Sequence, residues 1–491
     1  MSLILTRRAF LSGAGLLLAG GPVAASNVPF VRPRLRPDLS SPEAAAMLVR
    51  GFGLRGQTAC AVVDVDTGRP LENVNGDLAL PPASVAKALT ALYALEALGP
   101  AHRFATQLLA RGEITNGVLE GDLILAGGGD PVTDTDDLAQ LAADLKDSGL
   151  RELRGRFIVW DGALPFVSTI DSGQPPHVGY APSVSGIALN FNRVHFEWVR
   201  GASGYTVTMD ARTQLYRPDV SVATMQVAPR NTPIYSYARD RGVDRWSVAQ
   251  GALGQGGARW LPVRAPGAYA GDVFRTLARS HGIVLPVAEV TRGARPVGTV
   301  LAQHDSAPLA EILRGMLRFS TNLTAEMVGM AATTALTGRP GSLGASAQAM
   351  SAWARSRYGV QAVDLVDHSG LGAQSRITAD ALSRILASAG RAKGLEPLLR
   401  GFSVNEQGKA PAGFEVAAKT GTLNFVSGLG GFVTPPDGPT LAFAVFSADL
   451  DSRAGLGPDQ RERPPGARSW NSRARSLQRA LLRRWGQVYT S

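Results

Sequence analysis

The 491-residue chain contains one cysteine, Cys60, so no intramolecular disulfide can form even in an oxidising compartment. Cys60 lies in the apolar stretch Ala59–Val65, which reads as a strand. It is expected to be a small core residue rather than a thiol nucleophile. Histidine is also scarce: the six (His102, His177, His195, His281, His304 and His368) include no His-Glu-x-x-His pair and no metal-like spacing. A zinc hydrolase is therefore disfavoured and no metal or organic cofactor is expected. There is no Gly-x-Ser-x-Gly elbow for a Ser-His-Asp hydrolase. Gly127-Gly128-Gly129 lacks the Gly-Lys-Ser/Thr that completes a phosphate loop and reads as a tight turn. No basic run is interleaved with aromatics, so nucleic acid is not an expected partner. No internal repeat or low-complexity tract is present. The scarcity that says most is that of lysine. Of 50 Lys plus Arg, only Lys87, Lys146, Lys393, Lys409 and Lys419 are lysines. Arginine keeps its proton in proteins, whereas lysine can give it up.

Two of those five lysines sit in motifs that suggest chemistry. Ser84-Val85-Ala86-Lys87 is the only place where serine stands three residues before lysine. It follows Pro81-Pro82-Ala83 and opens an apolar helical pattern, so the two side chains share one helix face, one turn apart. A serine hydroxyl is a weak nucleophile until a base takes its proton, and a lysine whose site favours the neutral form is such a base. Lys419-Thr420-Gly421-Thr422 follows the strand-like Phe414–Ala418. The apolar run Val426–Val433, a Pro435-Pro436-Asp437-Gly438 turn and the run Leu441–Phe446 come next, which predicts an antiparallel meander. There Lys419 supplies charge, Thr420 and Thr422 supply hydroxyls, and Gly421 allows close approach to the backbone, a set suited to a carboxylate-ended substrate. The plainer alternative is a strand end with a solvated lysine. A third motif, Ser320-Thr321-Asn322, is one of three Ser-x-Asn triplets, with Ser403-Val404-Asn405 and Ser469-Trp470-Asn471. Ser320 is preferred because it lies between the other two motifs and at the junction of two helical patterns, Leu309–Leu317 and Leu323–Leu336, where a polar pair can face a cleft.

Ser-x-x-Lys, Ser-x-Asn and Lys-Thr-Gly, in that order, resemble the penicillin-binding proteins and serine β-lactamases. Lys87 and Ser320 are 233 positions apart. That spacing resembles the type-4, class C low-molecular-mass penicillin-binding proteins, D-alanyl-D-alanine carboxypeptidases and endopeptidases with a long insertion. Leu123–Pro131, Tyr180–Asn192 and Asp367-His368-Ser369-Gly370-Leu371 resemble further stretches of that family, so the resemblance covers roughly residues 59–446. The chain departs from the family pattern at Thr321, where Asp is common, and at Gly372-Ala373, where Ser-Arg is usual. Arg376 is the nearby alternative for a substrate carboxylate. His368 reads as a turn residue near the cleft.

The resemblance implies an α+β transpeptidase-like domain, an antiparallel sheet covered by helices. Residues 27–90 and 291–491 would form it. A strand-rich insertion, residues 91–290 in two sub-parts, would flank the cleft. It also implies acyl transfer in which Ser84 attacks a D-Ala-D-Ala peptide bond and Lys87, its pKa lowered by burial and by Lys419, takes the proton. Ser320 would relay the proton to the leaving amine and Asn322 would hold the substrate amide. Backbone N–H groups of Ser84 and Thr422 would form an oxyanion hole, and Lys419, Thr420 and Thr422 would bind the terminal carboxylate. Peptidoglycan peptides are then the expected partners and β-lactams the expected inhibitors, with Asp171 of the insertion a candidate for a diaminopimelate ammonium group. The competing readings are a β-lactamase or esterase on the same domain and a non-catalytic peptidoglycan-binding protein.

The first 25 residues read as an export signal. Thr6-Arg7-Arg8-Ala9-Phe10-Leu11 is a twin-arginine pattern, a short Gly/Leu/Ala-rich stretch follows, and Val23-Ala24-Ala25 offers a cleavage site, so a periplasmic location is expected. Net charge is +10, and from Asp451 onward there are nine arginines against three acids. Trp470, Ala474, Leu477, Leu481 and Trp485 recur at helical spacing there. That helix either closes the sheet with its apolar face or lies on an anionic membrane.

Overall fold

The computed structural model describes residues 42–404, 414–457, 460–462 and 464–489. The export segment lies outside the described residues. The expected meander is present as Glu415–Leu423, Val426–Thr434 and Leu441–Ala448, and it forms the middle of a six-stranded antiparallel sheet. In order the strands are Arg400–Gly401, Glu415–Leu423, Val426–Thr434, Leu441–Ala448, Gln57–Asp64 and Pro70–Val74. The first long strand of the chain thus pairs with the last, Thr58 opposite Ser447, and joins distant sequence segments into one domain.

The strands show little polar alternation because both faces of the sheet are covered. Successive side chains point to opposite faces. Ala442, Ala444 and Phe446 enter a core with Leu89 and Leu92 of the helix Ala86–Leu98 and with Leu382 and Ile385 of the helix Ala379–Ile385. Phe443 and Val445 enter a second core with Leu477, Leu481 and Trp485 of the C-terminal helix Ala467–Val488. Cys60 is wholly buried in that second core, and burial pushes its thiol up to about 12, as suits a core residue. The apolar face of the C-terminal helix is therefore spent on the sheet and is not available to a bilayer. Among the described residues no helix is long and apolar enough to cross a membrane. The same helix is pinned by Glu72 of the second strand, whose carboxylate accepts from Arg484 Nη2 at 3.0 Å and from Trp485 Nε1 at 2.9 Å.

Between the helix Ala86–Leu98 and the helix Leu309–Phe319 the chain leaves the domain and returns through a paired neck. Ser306 N donates to Phe104 O at 2.8 Å and Leu309 N to His102 O at 2.8 Å. The excursion carries a mixed sheet in the order Glu289–Thr291, Phe157–Trp160, Val118–Ala126, Ala105–Thr115 and Thr299–Asp305. Two further three-stranded sheets lie between residues 193 and 262, and the helices Thr135–Asp147 and Pro266–Ser280 bury their apolar faces in the same core. A separate apolar cluster docks the excursion on the catalytic domain. Leu164, Val178, Ala181 and Val184 pack on Leu323, Met327 and Met330 of the helix Asn322–Thr337.

Glu72→Ala removes the buried carboxylate that accepts from both Arg484 and Trp485. It should cost about 3–5 kcal/mol of unfolding free energy in urea melts.

Candidate active site

Ser84 sits in a single 3-10 turn, Ala83–Val85, that runs into the helix Ala86–Leu98. Ala83 adopts φ +48, a left-handed conformation that side chains disfavour. Neighbours with no Cβ hold the turn there. A Cβ on Gly370, itself at φ +75, would come to 1.9 Å from Ala83 O. One on Gly421 would lie 2.7 Å from Pro82 O and 3.0 Å from Ser84 N, and one on Gly428 would lie 2.9 Å from Pro82 O. Gly421 and Gly428 are register partners in adjacent strands. The nucleophile turn therefore rests directly on a patch of bare backbone, which brings Thr422 and Ser84 to one cleft.

Lys87 has no solvent exposure. Its Nζ lies 3.0 Å from Ser84 Oγ, 2.7 Å from Asn322 Oδ1 and 2.8 Å from Ser369 O. The Asn322 amide is oriented from its other side, where Nδ2 donates to Tyr180 O at 2.9 Å. The last two acceptors can only accept. A neutral amine has two N–H bonds and one lone pair, so these acceptors take both hydrogens and turn the lone pair toward Ser84. Burial first, then the charge of Lys419, lowers the Lys87 amine to about 7, against the pull of Glu326 and Asp367. Burial also lowers Lys419, to about 8. The mutual repulsion acts on Lys87 because Lys419 still carries its proton over the range in which Lys87 loses one.

Lys419 Nζ donates to Ser320 Oγ at 3.1 Å and to Thr420 O at 2.7 Å. Ser320 ends the helix Leu309–Phe319 in a left-handed conformation, φ 59 and ψ 38, and Asn322 begins the next helix. That abrupt junction turns both polar side chains inward. The three motifs thus converge on one cluster. Thr422 lines the cleft, Gly421 is buried beneath the nucleophile turn, and Thr420 is exposed beyond the cavity lining. The alternative Ser469 is exposed on the C-terminal helix, its Oγ donating to Gly466 O at 2.9 Å, and Asn405 lies outside the described residues.

Two acids beneath Lys87 were not singled out from sequence. Glu326 is fully buried and accepts from His368 N at 2.8 Å and Ser369 N at 3.0 Å. Asp367 accepts from Gly370 N at 2.7 Å and Gly372 N at 2.6 Å. Burial, and for Glu326 the adjacent charge of Asp367, raises both, Glu326 to about 8. A signal did exist: Glu326 is the one charged residue in the helix Asn322–Thr337 and lies one turn after Asn322. His368 is a packing residue. Burial pushes its imidazole down to about 3, its ring lies against Gly329, and its Nε2 is 2.8 Å from Ser346 Oγ.

The cluster opens into a cleft of about 820 Å³ lined by residues of both the catalytic domain and the insertion, including Asp171 and Tyr180. Arg376 lines it too, but its Nη1 is engaged with Ala373 O at 2.7 Å and Ser375 O at 2.9 Å. Arg453 and Arg461 add further guanidinium groups. A bridge bounds the far end: Arg461 Nη1 donates to Gly173 O at 2.8 Å, and Glu462 meets His177 Nε2 at 2.8 Å. Among the described residues no cluster of His, Cys, Asp or Glu could hold a metal ion.

Residues 48–462 match the model of the D-Ala-D-Ala carboxypeptidase 3 (S13) family. The chain is 32% identical over 427 residues to a D-alanyl-D-alanine carboxypeptidase of Actinomadura sp. (strain R39), covering 79% of this chain and 76% of the relative. It is 25% identical over 430 residues to the D-alanyl-D-alanine carboxypeptidase DacB of Haemophilus influenzae, covering 80% and 87%. Its fold is similar to the crystal structure of penicillin binding protein 4 from Haemophilus influenzae, with a TM-score of 0.73 at 21% identity over 89% of this chain and 99% of that one. A complex of that protein with a β-lactam matches with a TM-score of 0.69 at 22% identity, over 91% and 99%.

Gly421→Ala must push the strand off Pro82. Acylation of Ser84 should fall by at least about 10²-fold, the scale of one lost oxyanion-hole donor, while the thermal midpoint changes little. Stopped-flow measurement of acylation beside a melting curve checks both.

Proposed function

The chain belongs to the D-Ala-D-Ala carboxypeptidase 3 (S13) family, and from that membership we propose how this serine-type D-Ala-D-Ala carboxypeptidase carries out its reaction. The observation that carries the proposal is the placement of Lys87, a buried amine whose two hydrogens are claimed by fixed acceptors and whose lone pair faces a serine hydroxyl.

Ser84 Oγ attacks the carbonyl carbon of the D-Ala-D-Ala peptide bond as its proton passes to Lys87 Nζ. The negative charge that develops on the carbonyl oxygen is met by the backbone N–H groups of Ser84 and Thr422. Such donors are worth a factor of about 10² to 10³ in rate. As the C–N bond breaks, the leaving amine takes a proton through Ser320, which Lys419 holds in place. Lys419 in its protonated form, with Thr422, receives the terminal carboxylate, while Thr420, expected to join them, lies outside the cleft lining. Asn322 holds the substrate amide. Water then attacks the acyl-enzyme and frees Ser84.

A β-lactam presents a strained amide and a carboxylate in a similar arrangement, so it acylates Ser84 and leaves slowly. The β-lactam complex of the Haemophilus influenzae protein supports this reading. The substrates are peptidoglycan stem peptides, cut at the terminal D-Ala or at cross-links. Asp171 lines the cleft, which supports it as the candidate for an ammonium group of the stem. The inserted accessory region, expected over residues 91–290, is proposed here with its bounds moved to about 99 and 306, a reading supported by the pairing of Thr299–Asp305 with Ala105–Thr115 beside the neck. Export by the twin-arginine signal would deliver the enzyme to the periplasm, where its substrate is.

Two measurements test this. After incubation with benzylpenicillin, intact mass should show one adduct on residues 26–491 and none on Ser84→Ala, with Lys87→Arg slowed by at least about 10²-fold. Rapid loss of penicillin without an adduct would favour a β-lactamase. No adduct with penicillin unconsumed would favour a non-catalytic wall-binding protein. The rate of acylation should also be bell-shaped in pH. It should rise as Lys87 deprotonates through about 7 and fall as Lys419 deprotonates through about 8.

A further inference from the structure

Acylation as proposed above places a positive charge on Lys87 at a position closed to water and near a second lysine. A buried charge is costly unless it is paired and hydrogen-bonded. Asn322 Oδ1 and Ser369 O supply the acceptors such a charge requires, so what holds them in place decides whether Lys87 can keep the proton. Of these, Ser369 O belongs to a turn held by Asp367 at Gly370 N and Gly372 N and by Thr90 Oγ1 at His368 O, which leaves the N–H groups of His368 and Ser369 to be taken from another element. Glu326 takes them: Oε2 accepts from His368 N and Oε1 from Ser369 N. The carboxylate thus holds the two peptide units that lead into the Ser369–Gly370 peptide, whose carbonyl reaches Lys87 and whose N–H goes to Asp367.

We propose that Glu326 is a positioning residue for the acylating base: by bracing the turn at His368 and Ser369 it keeps the Ser369 carbonyl on Lys87 while the amine holds the proton of Ser84. This inference rests on the acyl-transfer reading of the site. During the step the Ser84 Oγ–H bond breaks, Nζ gains the proton, and the Oγ–carbon bond forms. When the C–N bond breaks, the proton goes to the leaving amine and Lys87 is neutral again. Glu326 neither gains nor loses a bond.

The charged and titratable groups around Glu326 allow this assignment. Its own helix, Asn322–Thr337, has no other charged residue. The nucleophile helix presents Lys87, with Tyr93 further along and bonded to Thr333. The turn presents Asp367, whose two oxygens are occupied by Gly370 N and Gly372 N, and His368, which burial keeps neutral. The helix Leu343–Tyr358 contributes the uncharged Ser346 and Met350 against that histidine. Lys419 acts from the strand side, and Asp171 touches the field only through Asp367. The geometry also explains why the residue is an acid. Two N–H donors converge on two oxygens, and a glutamine would turn its own NH2 group against one of them.

The test is the pH profile of benzylpenicillin acylation, from pH 5 to 9, on Glu326→Gln and Glu326→Asp of the full chain, with circular dichroism at each pH. Loosening the Ser369 acceptor disfavours the charged form of Lys87, which lowers its pKa and makes it a weaker base. Glu326→Gln should therefore move the acidic limb down by about one unit and cut the limiting rate by about tenfold or more. Glu326→Asp should restore the limb. A folded Gln variant whose limb stays put, whether or not its rate falls, overturns the proposal. If the Gln variant does not fold, the Asp variant decides: a lower limiting rate with the limb unmoved supports the proposal, and an unchanged limiting rate overturns it. Failure of the underlying reading would look different, since the wild-type chain itself would then form no adduct.

Discussion

Everything in the catalytic half of this molecule is arranged around an amine that water does not reach. A free lysine has a pKa of about 10.4 and is useless as a base near neutrality. Burying Lys87 completely changes that, because the charged form loses its hydration. But a buried amine must also have each hydrogen satisfied. Asn322 and Ser369 meet that demand from two other parts of the chain, and in doing so they aim the lone pair at Ser84. The same contacts that tolerate Lys87 in the core are those that make it a base.

The acceptors around Lys87 are themselves held by longer-range contacts. Asn322 is oriented by the Tyr180 carbonyl of the inserted region, and Ser369 by Glu326 one helical turn below Asn322. The nucleophile turn is kept in a conformation that alanine disfavours by the backbone of Gly370, Gly421 and Gly428. A Cβ at any of these positions would collide with Ala83 or Pro82, so sheet, turn and helix meet at a separation that only glycine permits. Three segments spread over more than 300 residues are thereby fixed relative to one hydroxyl.

The inserted region is more than an appendage. Its apolar docking surface lies on the face of the helix that carries Asn322 and Glu326, and its loop at residues 171–174 forms a wall of the cleft. Substrate selection can thus vary with the insertion while Ser84, Lys87 and Lys419 remain on the catalytic domain. The absence of an arginine at position 373 fits this arrangement: guanidinium groups reach the cleft instead from Arg376, Arg453 and Arg461.

Much of this was legible in the residues. Strands and helices around the motifs followed from apolar periodicity, since the pattern of burial within one element is local. Ser84 and Lys87 could be paired because one turn of helix sets their distance. The scarcity of lysine drew attention to Lys87 and Lys419, the two members of the site whose chemistry arginine cannot replace. The acids were different. Glu326 lies 239 positions from Lys87, and the turn of Asp367, though it resembles a family stretch, gave no sign that its acid lies near Lys87. A carboxylate becomes a counter-charge only when folding removes water from between it and its partner. That depends on which segments pack together. Ser320 could be preferred over Ser469 from motif order alone, but its contact with Lys419 came only with the tertiary structure, because a Ser-x-Asn triplet acquires chemistry only when its helix junction faces that lysine. Sequence alone determined which groups could do the reaction, through their intrinsic chemistry and local spacing. The tertiary structure decided which of them share one water-free site, because burial and distance are properties of the packed chain.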